Sequence, residues 1–113
     1  MDIEVKQQGD IKVMHCGGSL DADNVSAFKK IAYDLVGEGN TRLVIDCTDL
    51  TFIDSMGLGV LISLLRRVRQ RNGDVKVAAL SDEVKTIFEI TRLHRLFEVC
   101  ADWNAAVRSF SKG

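Results

Sequence analysis

The 113-residue chain contains no proline. It has no low-complexity stretch either, so nothing marks an interdomain linker, and no internal repeat divides it into like units. An excess of charge of one sign is also missing. Fifteen basic residues stand against 16 acidic ones, a formal net charge of -1, so no global field draws the chain toward nucleic acid or an anionic membrane. Met1 to Asp10 lack the basic and apolar regions of a secretion signal, and no later apolar run is long enough to cross a bilayer. The expected location is the cytoplasm. Cysteine is sparse: Cys16, Cys47 and Cys100 are odd in number and widely spaced, with only two histidines in the chain. That argues against both a disulfide framework and a zinc site. The three read as ordinary buried thiols, and no metal or other cofactor is expected.

What is present fits one compact domain over residues 1–113, with only Ser111 to Gly113 looking loose: 46% of the residues are hydrophobic and 27% charged. Ile3 and Val5, then Ile11 and Val13, alternate with polar neighbours around Gly9-Asp10, which predicts an antiparallel hairpin. Asp21 to Asn24 offer caps for a helix with Val25, Phe28, Ala32 and Leu35 on one face, closing at Gly37 or Gly39. Leu43-Val44-Ile45 reads as a central strand that stops at Asp46, and Leu50 to Ile53 as a second short apolar stretch. A helix follows from about Met56 to Asn72 with Gly73 as its C-cap. Val75 to Leu80 predicts a strand, Ser81 or Asp82 caps a helix carrying Val84, Ile87 and Phe88, and Phe97 and Val99 suggest another short strand. Asp102 caps a last helix with Trp103, Ala106, Val107 and Phe110 in register. The fold class is α/β, a mixed and largely parallel sheet with an N-terminal hairpin and about four helices.

The most informative stretch is Val44 to Leu65, where a buried strand, a polar turn and a helix beginning with a hydroxyl meet. Stepping ~100° per residue from Leu58 puts Leu61, Ile62, Leu65 and Val68 on the inner face of that helix. Met56, Val60 and Leu64 then fall on the opposite side. Two readings stay open for those three: cover by a neighbouring element, or an apolar patch for a partner protein beside Ser55. Gly57 and Gly59 each cost a helix roughly 1 kcal/mol against alanine, which suggests that something approaches the backbone there. Ser55 itself has a plain role available as an N-cap.

FIDSMGLGVL, preceded by LVIDCTDL, resembles the signature of anti-sigma factor antagonists of the STAS domain family. GGSLDADN and ITRLHRLFEV resemble the family's segments before the first helix and before the last strand. The resemblance implies the STAS fold and a regulatory, non-enzymatic role. It implies that Ser55, in the Asp-Ser-x-Gly-Leu-Gly motif, is phosphorylated by a serine kinase that is also the anti-sigma factor, with a serine phosphatase as a further partner. The unmodified form would bind that kinase and release the sigma factor. The acidic positions flanking the site correspond to Asp21, Asp46 and Asp54, and the partner surface to these with Met56, Gly57, Val60 and Leu64. The chain departs from the commonest family pattern at Met56 and at Gly18-Ser19. A phosphoryl group at Ser55 is expected to lie among unpaired helix N–H groups and to act at the interface rather than by melting the helix.

Other chemistries fit less well. A STAS adaptor in a multi-protein assembly, such as a lipid-transport one, would use Ser55 only as a cap. A serine hydrolase would need a Gly-x-Ser-x-Gly elbow, but Ile53 holds the place of the first glycine and nothing marks His15 or His94 as a base. Gly57-Leu58-Gly59 is too short for a dinucleotide loop and lacks the Walker lysine. The arginines of 66–71 sit where a helix C-terminus favours cations, with no interleaved aromatic to stack bases. His94 reads as a loop or packing residue and Trp103 as a core anchor.

Overall fold

Alternation over Asp2–Gln8 and Ile11–Leu20 produces β1 and β2, paired antiparallel from Asp2↔Gly17 to Gln8↔Ile11. The turn between them needs a backbone that glycine adopts without penalty, and Gly9 holds φ at 65°. The structure, a computed structural model, describes residues 1–111; of the expected loose C-terminus, Lys112 and Gly113 lie outside them. From β2 the chain runs through α1 (Val25–Gly37), β3 (Arg42–Ile53), α2 (Ser55–Arg69), β4 (Asp74–Ala78), α3 (Asp82–Ile90), a 3-10 turn over Leu93–Arg95, β5 (Glu98–Cys100) and α4 (Trp103–Phe110). The sheet order is β1-β2-β3-β4-β5, parallel throughout except for the opening hairpin.

Strand order that advances by one position at each crossover puts the three crossover helices on one face of the sheet. Phe28 and Leu35 of α1, Leu61 and Leu64 of α2, and Val84 and Phe88 of α3 share one buried cluster with the inward residues of the strands. Among the described residues helix α4 alone covers the other face, packing Ala106, Trp103, Val107 and Phe110 on Ile11, Val13, Val44 and Ala78. β3 is central and is lined by both clusters, which accounts for its continuous apolar run.

Three expectations are corrected. The strand does not stop at Asp46 but continues as one element to Ile53, because the carboxylate of Asp46 finds partners inside the sheet. Helix α2 begins at Ser55 and ends at Arg69, with Asn72 rather than Gly73 taking the left-handed conformation, at φ 62°. Gly73 is needed for a different reason: a Cβ there would run into the carbonyl oxygen of Thr41 and lie 2.6 Å from its Cβ. The C-terminal helix forms as the pattern predicts, with an Asp102 oxygen accepting from Ala105 N at 2.8 Å.

Candidate functional site

A single residue, Asp54, joins β3 to α2. Its extended backbone, at φ -105° and ψ -175°, turns the chain, and its Oδ1 accepts from Gly57 N at 2.9 Å. Asp54 is therefore the N-cap, not Ser55, which stands one position further on as the first helical residue and is exposed. Relieved of capping, the serine hydroxyl stays at the surface.

The second Asp54 oxygen, Oδ2, accepts from Ala22 N at 3.0 Å, while Asp54 N donates to the Leu20 carbonyl at 3.2 Å. One residue thus ties the end of β2 and the turn before α1 to the start of α2. The Gly57 N–H, with those of Ala22 and Met56, holds the Asp54 carboxyl below its ordinary value. The expectation of unpaired N–H groups waiting for an anion is corrected accordingly: the first turn already directs its amides at a carboxylate. Asp21 lies one residue before Ala22 in the same turn and is fixed by accepting from Ser19 Oγ at 2.9 Å and Asp23 N at 3.0 Å.

Asp46 is not brought to this site. It precedes Asp54 by eight residues, but β3 bulges against β2, so that the stretch from Asp46 to Ile53 runs beside His15 to Leu20 and spans about 17 Å at the usual extended rise, and its side chain turns to the face that carries α4. There it is buried and bonded to His15 Nδ1 at 2.6 Å and to Thr48 Oγ1 at 2.6 Å. The His15 ring meets Trp103 of α4 edge-on, with centroids 5.7 Å apart. His15 is accordingly engaged with Asp46, far from the Ser55 hydroxyl, and His94 Nδ1 lies 3.3 Å from the Phe88 carbonyl oxygen.

The face of α2 also differs from the expected one. Gly57, Val60, Leu61, Leu64, Leu65 and Val68 are buried, while Leu58 and Ile62 are only half-buried. Helix α1 packs against α2, and Val60 and Leu64, the latter at 0% exposure, belong to the buried cluster that the two helices share. Leu64 therefore cannot contribute to a surface patch. Gly57 is turned inward as well, because a Cβ on it would strike the Leu20 carbonyl oxygen and sit 2.8 Å from Ile53 Cγ1. The close approach expected at the glycines is real at Gly57 and absent at Gly59, where an added Cβ meets nothing within 4 Å. Of the apolar trio only Met56 stays open, 55% exposed, with Phe52 at 47% as a second exposed apolar side chain at the end of β3.

Between α1 and α2 runs a groove of about 430 Å³ that includes Ser55, Met56 and Val60 from α2 and Ser26, Lys29 and Tyr33 from α1. Lys29 Nζ lies 5.3 Å from the centre of the Tyr33 ring, and Arg67 Cζ lies 4.1 Å from it. Ser26, Lys29 and Tyr33 belong to no motif in the sequence and join Ser55 only through this groove. The only local signal was the four-residue spacing of Lys29 and Tyr33 along α1, which places them on one side of that helix.

The thiols take no part. Burial pushes Cys16 up to about 12 and raises Cys47 as well, and Cys100 is half-buried. Among the described residues no cluster of histidine, cysteine and carboxylate side chains has metal-binding geometry, and no helix is long and apolar enough to cross a membrane.

A five-stranded sheet with one antiparallel edge, three crossover helices on one side and an exposed serine at the central strand-to-helix junction defines a small α/β module of the type its motifs resemble. The sequence model of the STAS domain matches residues 2–106, and the chain belongs to the STAS domain family. It is similar to the anti-sigma-B factor antagonist of Staphylococcus aureus, with 25% identity over 99 residues covering 88% of this chain and 92% of the relative. Its fold recurs in the crystal structure of an anti-sigma factor antagonist from Mycobacterium paratuberculosis, with a TM-score of 0.88, 20% identity, and coverage of 96% of this chain and 92% of that one. It recurs also in the Bacillus cell fate determinant SpoIIAA in its phosphorylated form, with a TM-score of 0.75, 18% identity, and coverage of 96% and 99%.

Proposed function

We propose that this chain is a cytoplasmic anti-sigma factor antagonist, a non-enzymatic switch that binds a serine kinase/anti-sigma factor while Ser55 is unmodified and lets go when Ser55 is phosphorylated. The carrying observation is the separation of duties at the β3–α2 junction: Asp54 caps the helix, so Ser55 presents an exposed hydroxyl on a rigid first turn. The names of the S. aureus relative and of phosphorylated SpoIIAA support the same reading.

In the kinase reaction Ser55 Oγ attacks the γ-phosphorus of ATP. The Oγ–P bond forms as the bond to the β-phosphate oxygen breaks, ADP leaves, and the hydroxyl proton passes to the kinase or solvent. ATP belongs to the kinase. The partner surface comprises Asp21, Asp54, Ser55 and Met56, with Gly57 shaping it from beneath. A phosphoryl group there adds about -1.5 to -2 charges beside the carboxylates of Asp21 and Asp54. It disrupts docking by repulsion and bulk, leaving the fold intact. A serine phosphatase resets the switch, and neither nucleic acid nor membrane is a direct partner.

Incubation with ATP and the cognate kinase, followed by phosphopeptide mass spectrometry, tests this. Label confined to Ser55 and abolished in Ser55→Ala is the expected result. A chain that binds the kinase complex yet stays unlabelled would instead be a STAS adaptor.

A further inference from the structure

The phosphorylated state raises an electrostatic problem that the first turn of α2 does not solve. The amides of Gly57 and Met56 are already directed at the Asp54 carboxylate, and that carboxylate is a like charge one residue from the phosphoryl group. Countercharge must come from another element. Lys29 of α1 is exposed and lines the same groove as Ser55. Among the described residues it has no carboxylate within ion-pair distance, whereas the adjacent Lys30 is paired with Asp34 at 3.2 Å. Its ammonium lies 5.3 Å from the centre of the Tyr33 ring, which lines the same groove and has Arg67 closer on it at 4.1 Å. Ser26, one turn before Lys29, adds a hydroxyl donor to the same wall.

We propose that Lys29 is the counter-ion of phosphoserine 55, so that phosphorylation bridges α1 to α2 and closes the groove between them as well as charging its mouth. The inference rests on Ser55 being the modified residue. It gives the off state a structure of its own: three phosphoryl oxygens can accept from the Lys29 ammonium and from Ser26 Oγ without displacing Asp54 from the helix amides.

The test uses the whole chain with phosphoserine installed at position 55 by genetic encoding, so it needs no kinase and is independent of whether the cell modifies this residue. Phosphorus-31 NMR follows the second ionisation of the phosphate, which lies near pH 6 for an isolated phosphoserine. Pairing with Lys29 favours the dianion. The phosphate should therefore titrate lower than in Lys29→Gln by about half a unit or more, roughly threefold in proton affinity, at low salt. Lys30→Gln is the control and should leave the titration where the wild-type phosphoprotein has it. Equal titration curves for the wild type and Lys29→Gln would overturn the proposal, as would an equal displacement by Lys30→Gln, which would reduce the effect to general surface charge.

Discussion

Gly57 and Gly59 are two residues apart in one helix and are glycine for opposite reasons. Beneath Gly57 the Leu20 carbonyl and the Ile53 side chain leave no space for a Cβ, whereas Gly59 faces the open groove. Gly57→Ala should destabilise the protein by about 1–3 kcal/mol or more through forced displacement of β2. Gly59→Ala should stabilise it by up to about 1 kcal/mol by removing a helix-interior glycine. Urea denaturation of the two variants checks both, and the same sign for both would refute this account of α2. Asp54 makes a pH prediction. Its folded-state carboxyl is held below the ordinary aspartate value, first by the Gly57 N–H. The charged cap therefore stabilises fully above that ordinary value, and its contribution fades as pH falls through the lower, folded-state value. Asp54→Asn keeps a capping oxygen without the charge. The difference in urea midpoint between wild type and Asp54→Asn should shrink as the pH is lowered from about 6 toward about 3.

At the scale of elements, what a single segment dictates was legible and what two segments dictate was not. Gly9-Asp10 announced the hairpin and Asp102 the last helix, because turn and cap chemistry are local. The inner face of α2 was misplaced because periodicity gives the width of an apolar stripe but not which neighbour extends it. Here the buried cluster to which α1 contributes also takes in Val60 and Leu64. Lys29 carries no signal in the sequence for the same reason, since its relation to Ser55 exists only across the α1–α2 groove. The family resemblance groups Asp46 with Asp54 as acidic positions flanking Ser55, yet alternation along β3 sends its side chain to His15 under α4. Asp46→Ala should cost about 1–3 kcal/mol, as expected when buried hydrogen-bonding groups lose their partner. It should also change the rate of Ser55 phosphorylation by less than about twofold, since the bulged second half of β3, about 17 Å long, separates the two. Thermal denaturation together with a kinase assay separates these effects.

Across the whole molecule, the sheet divides labour between its two sides. The α4 side holds the His15–Asp46 pair and the buried Lys76, whose Nζ bonds Ser109 Oγ at 2.6 Å and Glu98 at 3.1 Å. The helical side ends in the Ser55 turn and its groove. Adding a phosphoryl group changes a formal net charge of -1 by about -1.5 to -2, yet the added charge lies on an exposed residue outside both buried clusters. The fold therefore has no reason to melt when the surface changes. The most direct test is calorimetric titration of the kinase/anti-sigma factor with the unmodified chain and with the same chain carrying phosphoserine at position 55, alongside their melting temperatures. The account predicts at least a tenfold loss of affinity, about 1.4 kcal/mol, with nearly coincident melting curves. Equal affinities, or a phosphorylated chain that has lost its folded transition, would contradict it.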